Sequence, residues 1–216
     1  MNITLEEGLP VRLGFIELDE LNFMRSGGGH TGLTCQAALI RQRFKGLSAG
    51  EIDEVQHARK LFRAIHIDPT KRRPSSEALL RRALSGRNMP AVNNLVDTAN
   101  WCSLEFLLPV CVYDAGSISG KITLRIGKKD EHYLALNHQD IEFEGRYCFA
   151  DDTGPFGSPM TDSVRTAVTC DTTHGLFILF SSTQFHADSL KHALDVSEKR
   201  LVEECGGNIL HKGIIH

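Results

Sequence analysis

The sequence predicts a single α/β (α+β) domain with a mixed, largely antiparallel sheet flanked by helices. Short apolar runs separated by turn residues predict the strands. Capped stretches in which apolar residues recur every three or four positions predict the helices. With 216 residues, of which 41% are hydrophobic and 24% charged, the chain is long enough to bury one core, so we expect residues 1–216 to form one domain.

Residues 1–65 are expected to form an N-terminal strand and helix portion. Pro10 to Phe23 alternates apolar and polar residues in places and predicts an opening strand or hairpin. The glycine-dense stretch Gly27 to Gly32 predicts a flexible break. Its spacing is that of a phosphate-binding loop, but Leu33 stands where the loop needs lysine, which argues against nucleotide binding. Ser48 and Glu51 form a capping box that predicts the start of an amphipathic helix.

The expected core of the domain is the segment 66–182. Pro74 begins a predicted helix that Gly86 ends, and a further helix is predicted from Asn94 to about Leu107. The predicted strands of this segment are Lys121 to Gly127, His132 to Leu136, Arg146 to Ala150 and Gly175 to Ser182. The last of them is almost wholly apolar, as a central strand buried on both faces would be.

The remaining segment, 183–216, is predicted to be a C-terminal amphipathic helix. It runs from Asp188 to Cys205, and Gly206 and Gly207 are placed to end it. We expect this helix to close the chain.

Composition limits the class of protein. The sequence contains no apolar run of about 18 residues and its start is acidic, where a secretory signal is basic and then apolar, so we expect a cytoplasmic protein without a membrane partner. The six cysteines are widely scattered, which favours reduced thiols over disulfides or zinc ligands. A net charge of −3 argues against a protein that coats nucleic acid, so any RNA contact must be local.

A run of cations is the first candidate binding feature. Between positions 71 and 87, the acid Glu77 is accompanied by six cations. They are Lys71, Arg72, Arg73, Arg81, Arg82 and Arg87. They predict either a site for a phosphate-bearing ligand, held by guanidinium groups, or a solvated helix face whose cations favour the C-terminal end of the helix dipole.

A second candidate feature is a set of poor helix formers in an otherwise apolar segment. Asn93, Asn94, Asp97 and Asn100 lie within the predicted helix or at its start. Asp97 and Asn100 are three residues apart and share one helix face, where they can line a pocket. Alternatively, Asn94 caps the helix and Asp97 binds the amides of its first turn.

This segment resembles a known family. The pattern Asn93-Asn94-x-Val96-Asp97-x-x-Asn100, continued by Leu104-Glu105, Pro109 and Asp114, is similar to the signature of the B3/B4 domain of the phenylalanyl-tRNA synthetase beta subunit. The stretch from Asp68 to Arg82 looks like the version found in free-standing relatives. So does Ala150-Asp151-Asp152 followed by Arg165-Thr166 and Thr172. The resemblance is good over 67–182, weaker before residue 66 and absent from the C-terminal helix.

The resemblance implies a fold and a function. It implies a B3/B4-like domain whose partners are the aminoacylated 3′ end of a tRNA and its amino-acid moiety. The cysteines and histidines have no metal-ligand spacing, so we expect neither a metal nor a cofactor. In the synthetase this domain is the editing site, which hydrolyses the ester of tRNA carrying tyrosine in place of phenylalanine. The implied function is a trans-editing aminoacyl-tRNA deacylase that does not itself charge tRNA. A non-catalytic module that binds tRNA or amino acids, and a protein-interaction domain that reuses the fold, are the alternatives.

The resemblance also implies roles for residues. An aminoacyl ester is already activated, so a site can hydrolyse it by positioning a water and stabilising the oxyanion. Asn93, Asp97 and Asn100 are then expected to hold the amino group and the water, and Arg165 and Thr166 the carbonyl or the terminal phosphate. Further residues expected to bind the substrate are Arg72, Arg73, Asn94, Cys111, Asp114, Arg125, Asp151, Asp152, Val164 and Thr172.

Two positions depart from the family pattern. Cys111 stands where the synthetase domain usually has a pocket histidine; it is either a nucleophile or a packing residue, and its motif has no histidine to generate a thiolate. Val164 aligns with the glutamate that reads the tyrosine hydroxyl, which predicts a preference for aliphatic or small side chains over tyrosine. The long loop before it means that a shift of two or three residues would place Asp162 or Arg165 there instead.

Overall fold

A computed structural model of the protein describes residues 1–25 and 27–216. Its strands are β1 (Ile3–Leu5), β2 (Val11–Asp19), β3 (Val110–Asp114), β4 (Ile122–Ile126), β5 (His132–Leu134), β6 (Asp140–Glu142), β7 (Tyr147–Asp151), β8 (Gly154–Gly157), β9 (Gly175–Ser182) and β10 (Asn208–Ile215). Its α-helices are α1 (Gly28–Arg43), α2 (Val55–Ala64), α3 (Ser75–Leu84), α4 (Asn94–Phe106) and α5 (Ala187–Cys205). One-turn 3-10 helices lie at Ala49–Glu51, Ala115–Ser117 and Val164–Thr166.

The first sheet is antiparallel and has the strand order β10-β2-β9-β3. Strand β9 lies between β2 and β3, so that Ile178 is paired with Phe15 on one side and with Cys111 on the other. All eight residues of β9 are buried. The expectation of a central strand buried on both faces is confirmed.

The second sheet has the order β1-β4-β7-β8, and β5 pairs with β6 in a separate hairpin. Strand β1 is parallel to β4, whereas the other pairs are antiparallel. The predicted fold class, α/β with a mixed and largely antiparallel sheet flanked by helices, is therefore confirmed. Apolar side chains of both sheets, among them Leu13 and Ile178 of the first and Leu124 and Phe149 of the second, form one buried cluster.

The opposite face of the first sheet is covered by helices. Phe177 and Leu179 of β9 point away from the second sheet and pack with Ala99 of α4 and with Leu190 and Leu194 of α5. This alternation follows from the two-residue period of a strand, which sends successive side chains to opposite faces. Helices α1 and α3 then pack on α4 through a third apolar cluster and extend the molecule into a helical lobe.

The glycine-rich stretch is not the flexible break that the sequence predicts, since α1 begins at Gly28. The glycines are needed because α1 packs closely against α4. A Cβ built on Gly29 would lie 2.4 Å from Thr98 Oγ1, and one on Gly32 would lie 2.3 Å from the ring of Trp101. The low helix propensity of glycine is thus outweighed by a tertiary contact that no larger residue allows.

Two local predictions differ from the structure in extent. The capping box, in which the Ser48 N–H donates to Glu51 Oε2 at 2.8 Å, starts only the one-turn helix Ala49–Glu51, and α2 begins later, at Val55. The predicted C-terminal helix is confirmed as α5, but it does not close the chain. Gly206 and Gly207, with φ of 67° and 84°, reverse the backbone into β10.

The helices and strands predicted after residue 66 are otherwise confirmed within a few residues. They are α3, α4, β4, β5, β7 and β9. Within residues 1–25 and 27–216, no helix combines the length and the apolar character that a membrane crossing would require.

Candidate functional site

The asparagines of the predicted signature lie at the start of α4. Asn93 is the N-cap residue, and its Oδ1 accepts a hydrogen bond from the Val96 N–H at 2.8 Å. Asn94 is buried; its Oδ1 accepts from the Met24 N–H at 3.0 Å, and its Nδ2 donates to Asn22 O at 2.7 Å and Glu204 O at 3.1 Å. The Asn94 side chain therefore connects α4 with the segment after β2 and with the end of α5, whereas Asn93 caps α4 itself.

Asp97 is completely buried one turn further along α4. Its Oδ1 accepts from the Val92 N–H at 3.0 Å, and its Oδ2 lies 4.0 Å from Nδ1 of His30 on α1. Neither Oδ2 nor the histidine Nδ1 has a hydrogen-bond partner in the described part of the chain. Burial raises the pKa of the Asp97 carboxyl, although the Val92 N–H and His30 act in the opposite direction. Asn100, three residues on, is half-buried.

Arg165, on the one-turn helix Val164–Thr166, and Asp151, at the end of β7, form a second group. The guanidinium binds both carboxylate oxygens, at 2.9 and 3.0 Å, and Nη1 also donates to Ser117 O at 3.0 Å. Burial raises the pKa of Asp151, but hydrogen bonds from Arg165 and from backbone N–H groups outweigh it and the pKa is lowered. Asp152, beside this pair, is exposed, whereas Thr166 is buried and donates from Oγ1 to Phe156 O at 3.3 Å.

Three further predicted residues, Asp114, Thr172 and Arg125, form hydrogen bonds or ion pairs with other groups of the protein. The Asp114 carboxylate accepts from the Gly116 N–H at 3.0 Å and from Thr172 Oγ1 at 3.1 Å. Arg125 binds both carboxylate oxygens of Glu131, each at 2.7 Å. These pairs satisfy charged and polar groups that are only partly exposed to water.

A cavity of about 270 Å³ opens between the α2–α3 loop and a wall formed by β6, the start of β7 and the segment after β8. Lys71 and Arg72 from the loop and Arg146 from the wall give it a cationic edge, which the carboxylate of Asp68 in the same loop partly neutralises. Its other lining residues are mostly apolar or uncharged and include Ile65, Ile67, Ile141, Phe143, Tyr147, Ser158, Met160 and Thr161. A mostly apolar cavity with a few charged groups at its edge is typical of a small-ligand site.

Directly behind this wall lies a buried polar cluster of Cys111, Tyr113 and Asp162, called here the Asp162 cluster. The thiol of Cys111 is 3.6 Å from the carbonyl oxygen of the cavity residue Ser158. Tyr113 OH and Asp162 Oδ1 are buried, and neither has a hydrogen-bond partner among the residues the structure describes. Unsatisfied buried polar atoms are unusual, although neither Tyr113 nor Asp162 lines the cavity itself.

Burial sets the protonation of the Asp162 cluster. It raises the pKa of the Asp162 carboxyl to about 7, while Tyr113 and Cys111 act in the opposite direction. Burial likewise raises the pKa of the Cys111 thiol well above its usual range, and the charge of Asp162 adds to the effect. The thiol therefore stays protonated at neutral pH, which favours packing over a nucleophilic role because the thiolate is the nucleophile.

Val164 and Asp162 are placed differently with respect to the cavity. Val164 lies on the one-turn helix Val164–Thr166 and its side chain is 42% exposed, whereas Asp162 faces inward toward Tyr113. Of the residues that the sequence singles out, Arg72 lines the cavity and Cys111 lies behind its wall. Arg73, next to Arg72, instead reaches Glu77 at 3.6 Å.

Sequence reasoning missed Ser158, Thr161 and the inward position of Asp162. Asp162 does end an uncharged stretch, Gly154 to Thr161, that leads out of a strand, but this signal alone does not say which way its side chain points. Tyr113 also approaches this stretch closely, since a Cβ on Gly157 would lie 2.3 Å from its hydroxyl oxygen. Within residues 1–25 and 27–216, no three histidine, cysteine, aspartate or glutamate side chains are grouped so that they could hold a metal ion.

Comparison with known proteins relates the chain to one family. The model of the B3/4 domain matches residues 57–199. Phenylalanine–tRNA ligase beta subunits are similar over part of the chain: that of Brucella abortus (strain 2308) is 31% identical over 86 residues, or 39% of this chain and 11% of the subunit. That of Zymomonas mobilis is 35% identical over 82 residues, or 38% of this chain and 10% of the subunit. The match thus spans about a tenth of these relatives' length.

A solved structure is similar over most of the chain. It is an N-terminal fragment of the phenylalanyl-tRNA synthetase beta subunit from Pyrococcus horikoshii, 13% identical in sequence, with a TM-score of 0.47. The match covers 99% of this chain and 50% of the fragment.

Proposed function

Because this chain belongs to the B3/4 domain family, we propose that it hydrolyses the ester bond of an aminoacyl-tRNA that another protein has charged. The relatives it matches are subunits of a tRNA ligase, which supports tRNA as the partner. The ester joins the amino acid to the ribose of the 3′-terminal nucleotide. A water oxygen attacks the carbonyl carbon, the bond to the ribose oxygen breaks, and that oxygen takes up a proton.

The observation that carries this proposal is the cavity beside the Asp162 cluster. Its volume of about 270 Å³ lies near the lower end for small-molecule sites and suits an aminoacyl group better than a whole nucleotide. Lys71 and Arg72 at its edge suit the phosphate that precedes the terminal ribose. The apolar wall suits an amino-acid side chain, so each part of the substrate has a matching surface.

The roles expected for the α4 residues remain predictions, and the contacts restrict them. Asn93 and Asp97 each already accept a main-chain N–H, Asp97 is fully buried, and none of the α4 residues lines the cavity. Arg165 is held by Asp151 and Ser117, so its part in the proposal is to fix the loop after β8 rather than to contact the carbonyl.

Neither Asp162 nor Val164 lines the cavity, but Asp162 lies directly behind its wall, next to the lining residue Thr161. A carboxyl with a pKa of about 7 exists in both forms near neutral pH and can donate or accept a hydrogen bond. On this placement the argument for an aliphatic preference, which depended on Val164 lining the pocket, gives way to a preference for side chains that carry a hydroxyl. A hydroxyl left unpaired in a buried pocket costs about 1–3 kcal/mol, so the preference should be measurable.

The test is hydrolysis of a panel of aminoacyl-tRNAs, correctly and incorrectly charged, compared at one enzyme concentration. We expect one class of ester to be hydrolysed faster than the rest and Arg72→Ala to reduce kcat/KM for it, because Arg72 lines the cavity. Arg63→Ala, which removes an exposed arginine of α2, is the matched control and should leave the rate unchanged. A panel without any hydrolysis above the uncatalysed rate would overturn the proposal.

The second candidate function is a module that binds aminoacyl-tRNA without hydrolysing it. It is favoured by the buried, protonated state of Cys111, which stands at a position where the family usually has a histidine. Saturable binding of an aminoacyl-tRNA combined with an unchanged half-life of its ester would establish this function instead.

A further inference from the structure

Charge is distributed very unevenly along the chain. Residues 24–92 contain thirteen lysine and arginine residues and five acidic residues, although the whole chain has 24 of the former and 27 of the latter. This cationic segment, which contains α1, α2 and α3, is called here the cationic lobe. Helix α1 contributes no acidic residue at all. The modest net charge of −3 therefore hides a positive lobe on an otherwise negative molecule.

Part of this lobe is neutralised internally. Glu77 is 1% exposed and binds Arg59 through two hydrogen bonds of 2.8 Å; Arg81 and Arg73 reach the same carboxylate at 3.0 and 3.6 Å. Arg43 pairs with Glu54 at 2.6 Å. One buried carboxylate thus organises three guanidinium groups and leaves this part of the surface with excess positive charge.

Other cations of the lobe are exposed around a groove. The groove, about 460 Å³ in volume, is formed where the ends of α1 and α3 meet, and its lining includes Arg41, Lys45, Leu47 and Leu84. Arg41 lies against the turn after α3, since a Cβ on Gly86 would be 2.6 Å from its Nη1. Arg87 follows directly in the chain. Within residues 1–25 and 27–216, Arg41, Lys45 and Arg87 form no ion pair with an acidic side chain.

Helix dipoles do not account for this concentration of charge. Each helix C-terminus carries a partial charge of roughly −0.5, so the two that meet at the groove contribute about one negative charge. Arg41 and Arg43 in the last turn of α1 and Arg81 and Arg82 in the last turn of α3 already exceed that. Lys45 and Arg87 add further positive charge, which remains available to a partner.

We propose that this groove and its exposed cations Arg41, Lys45 and Arg87 bind the phosphate backbone of an RNA duplex, at a surface separate from the cavity. The inference rests on the proposed function for the identity of the RNA as the tRNA whose 3′ end enters the cavity. A polyanion with regularly spaced charges complements the surface, and the separation of the two sites suits an extended partner.

The spacing of the two sites supports a duplex. Arg72, at the cavity, precedes α3, and the groove lies at the other end of this ten-residue helix, a distance of about 15 Å along its axis. A nucleic-acid duplex of that length carries on the order of nine phosphates. The arrangement therefore has the 3′ end in the cavity and the stem along α3.

The experiment compares two RNA probes by fluorescence anisotropy: a hairpin with a duplex stem and a single-stranded CCA end, and the CCA trinucleotide alone. The test variant is Arg41→Gln/Lys45→Gln/Arg87→Gln. We expect the native chain to bind the hairpin at least about tenfold more tightly than the trinucleotide, and the variant to lose that advantage. The plot of log affinity against log salt should be less steep for the variant than for the native chain, by about 2.7 in the magnitude of its slope, because three phosphate contacts are removed.

The matched control is Lys128→Gln/Lys129→Gln/Lys191→Gln, which removes three exposed cations outside the lobe and changes the net charge equally. It should keep the native affinity and salt slope. Equal losses in both variants, or an unchanged slope in the groove variant, would overturn the proposal. So would a polyglutamate peptide that competes for the groove as well as the hairpin does, since that result would assign the groove to an acidic protein.

Hydrolysis measured separately on an aminoacyl ester of the CCA trinucleotide keeps the two proposals apart. Groove-dependent binding of the hairpin without hydrolysis of any ester would contradict the proposed function and leave the duplex site standing. Hydrolysis that proceeds while both variants bind the hairpin like the native chain would contradict the duplex site alone.

Discussion

At the scale of single residues, the site is defined by polar groups that the fold leaves buried and unpaired. Tyr113 OH and Asp162 Oδ1 lie behind the cavity wall without a partner among the described residues. Such groups reduce the free energy of unfolding, because a buried polar atom without a hydrogen bond loses its interaction with water and gains nothing. Their presence therefore lowers stability, and it fits the proposal that this region of the protein has a functional role.

Asp162→Asn is predicted to stabilise the protein at neutral and higher pH. Burial raises the carboxyl pKa from 3.8 to about 7, so between about pH 4 and pH 7 the unfolded chain loses a proton that the folded chain keeps. Rising pH through this window therefore lowers the free energy of unfolding, and the loss is complete above pH 7. The variant has no carboxyl to ionise and avoids this loss, so its free energy of unfolding at pH 8 should exceed that of the native chain by at most about 4 kcal/mol.

Urea unfolding of both proteins at pH 5 and pH 8 measures this effect. The difference between variant and native chain should be larger at pH 8. Asp171→Asn, at an exposed position, is the control and should show no such dependence. A gain that is the same at both pH values would mean that Asp162 titrates normally in the folded protein.

For single residues, the sequence could predict which role a side chain suits, but not which way the side chain points in the fold. The packing interpretation of Cys111 followed from the missing histidine and agrees with its burial. The inward position of Asp162 could not be predicted, because the segment before it has neither the strand nor the helix period, and only the contact with Tyr113 from β3 decides which side chain faces the core.

At the scale of elements, the close packing of α1 on α4 depends on glycine. Helix α1 has no side-chain N-cap and begins with two glycines, so its propensity is low. Its stability comes from the contact with α4, in which the ring of Trp101 occupies the space that a side chain at Gly32 would need.

Gly32→Ala is predicted to destabilise the protein by about 1–3 kcal/mol, the usual cost of overpacking, even though alanine is the better helix former. Gly50→Ala is the matched control, because a Cβ there meets nothing closer than 4.0 Å. Urea unfolding of both variants measures the difference. Equal stabilities would show that Trp101 moves aside at little cost.

Glu77→Gln is predicted to cost about 3 kcal/mol or more, since it leaves the half-buried Arg59 without its charged partner. Burial raises the pKa of Glu77, but hydrogen bonds from Arg59 and Arg81 outweigh it and the net pKa is lowered. The ionised Glu77 therefore stabilises the folded protein above pH 4.5, and this stabilisation is lost as the pH falls through the folded pKa. The free energies of unfolding of the native chain and the variant should thus converge in acid. Glu54→Gln, in the exposed pair with Arg43, should cost less than about 1 kcal/mol.

Elements with local signals could be predicted from the sequence, and those that depend on tertiary contacts could not. Helix α3 has a proline before its start and a glycine after its end, and β9 has an unbroken apolar run, so both signals lie within the element itself. The start of α1 was missed because glycine breaks helices unless a neighbour requires it. Strand β10 was missed because its exposed side chains do not alternate clearly.

At the scale of the whole molecule, β10 links the C-terminal segment to the centre of the fold. It pairs with β2 from Asn208 to Ile215, so β2 has a partner strand on both sides and is not an edge strand of the sheet. Ile209 and Ile214 pack against the cluster beneath α4 and α5, and Ile215 against the cluster between the sheets. This strand therefore contributes to both cores.

Truncation after Gly207 is predicted to lower the free energy of unfolding by about 3 kcal/mol, since it removes three half-buried isoleucines at roughly 1 kcal/mol each. It should also increase self-association, because β2 becomes an edge strand with unpaired N–H and C=O groups. Leu210→Asn is the control: this side chain is 42% exposed, so the full-length variant should keep the stability and the association state of the native chain. Urea unfolding and light scattering over a range of concentrations measure both effects. A truncated chain that unfolds at the native urea concentration and scatters like the full chain would show that β2 needs no partner on this side, and that the two sheets and α5 alone hold the core together.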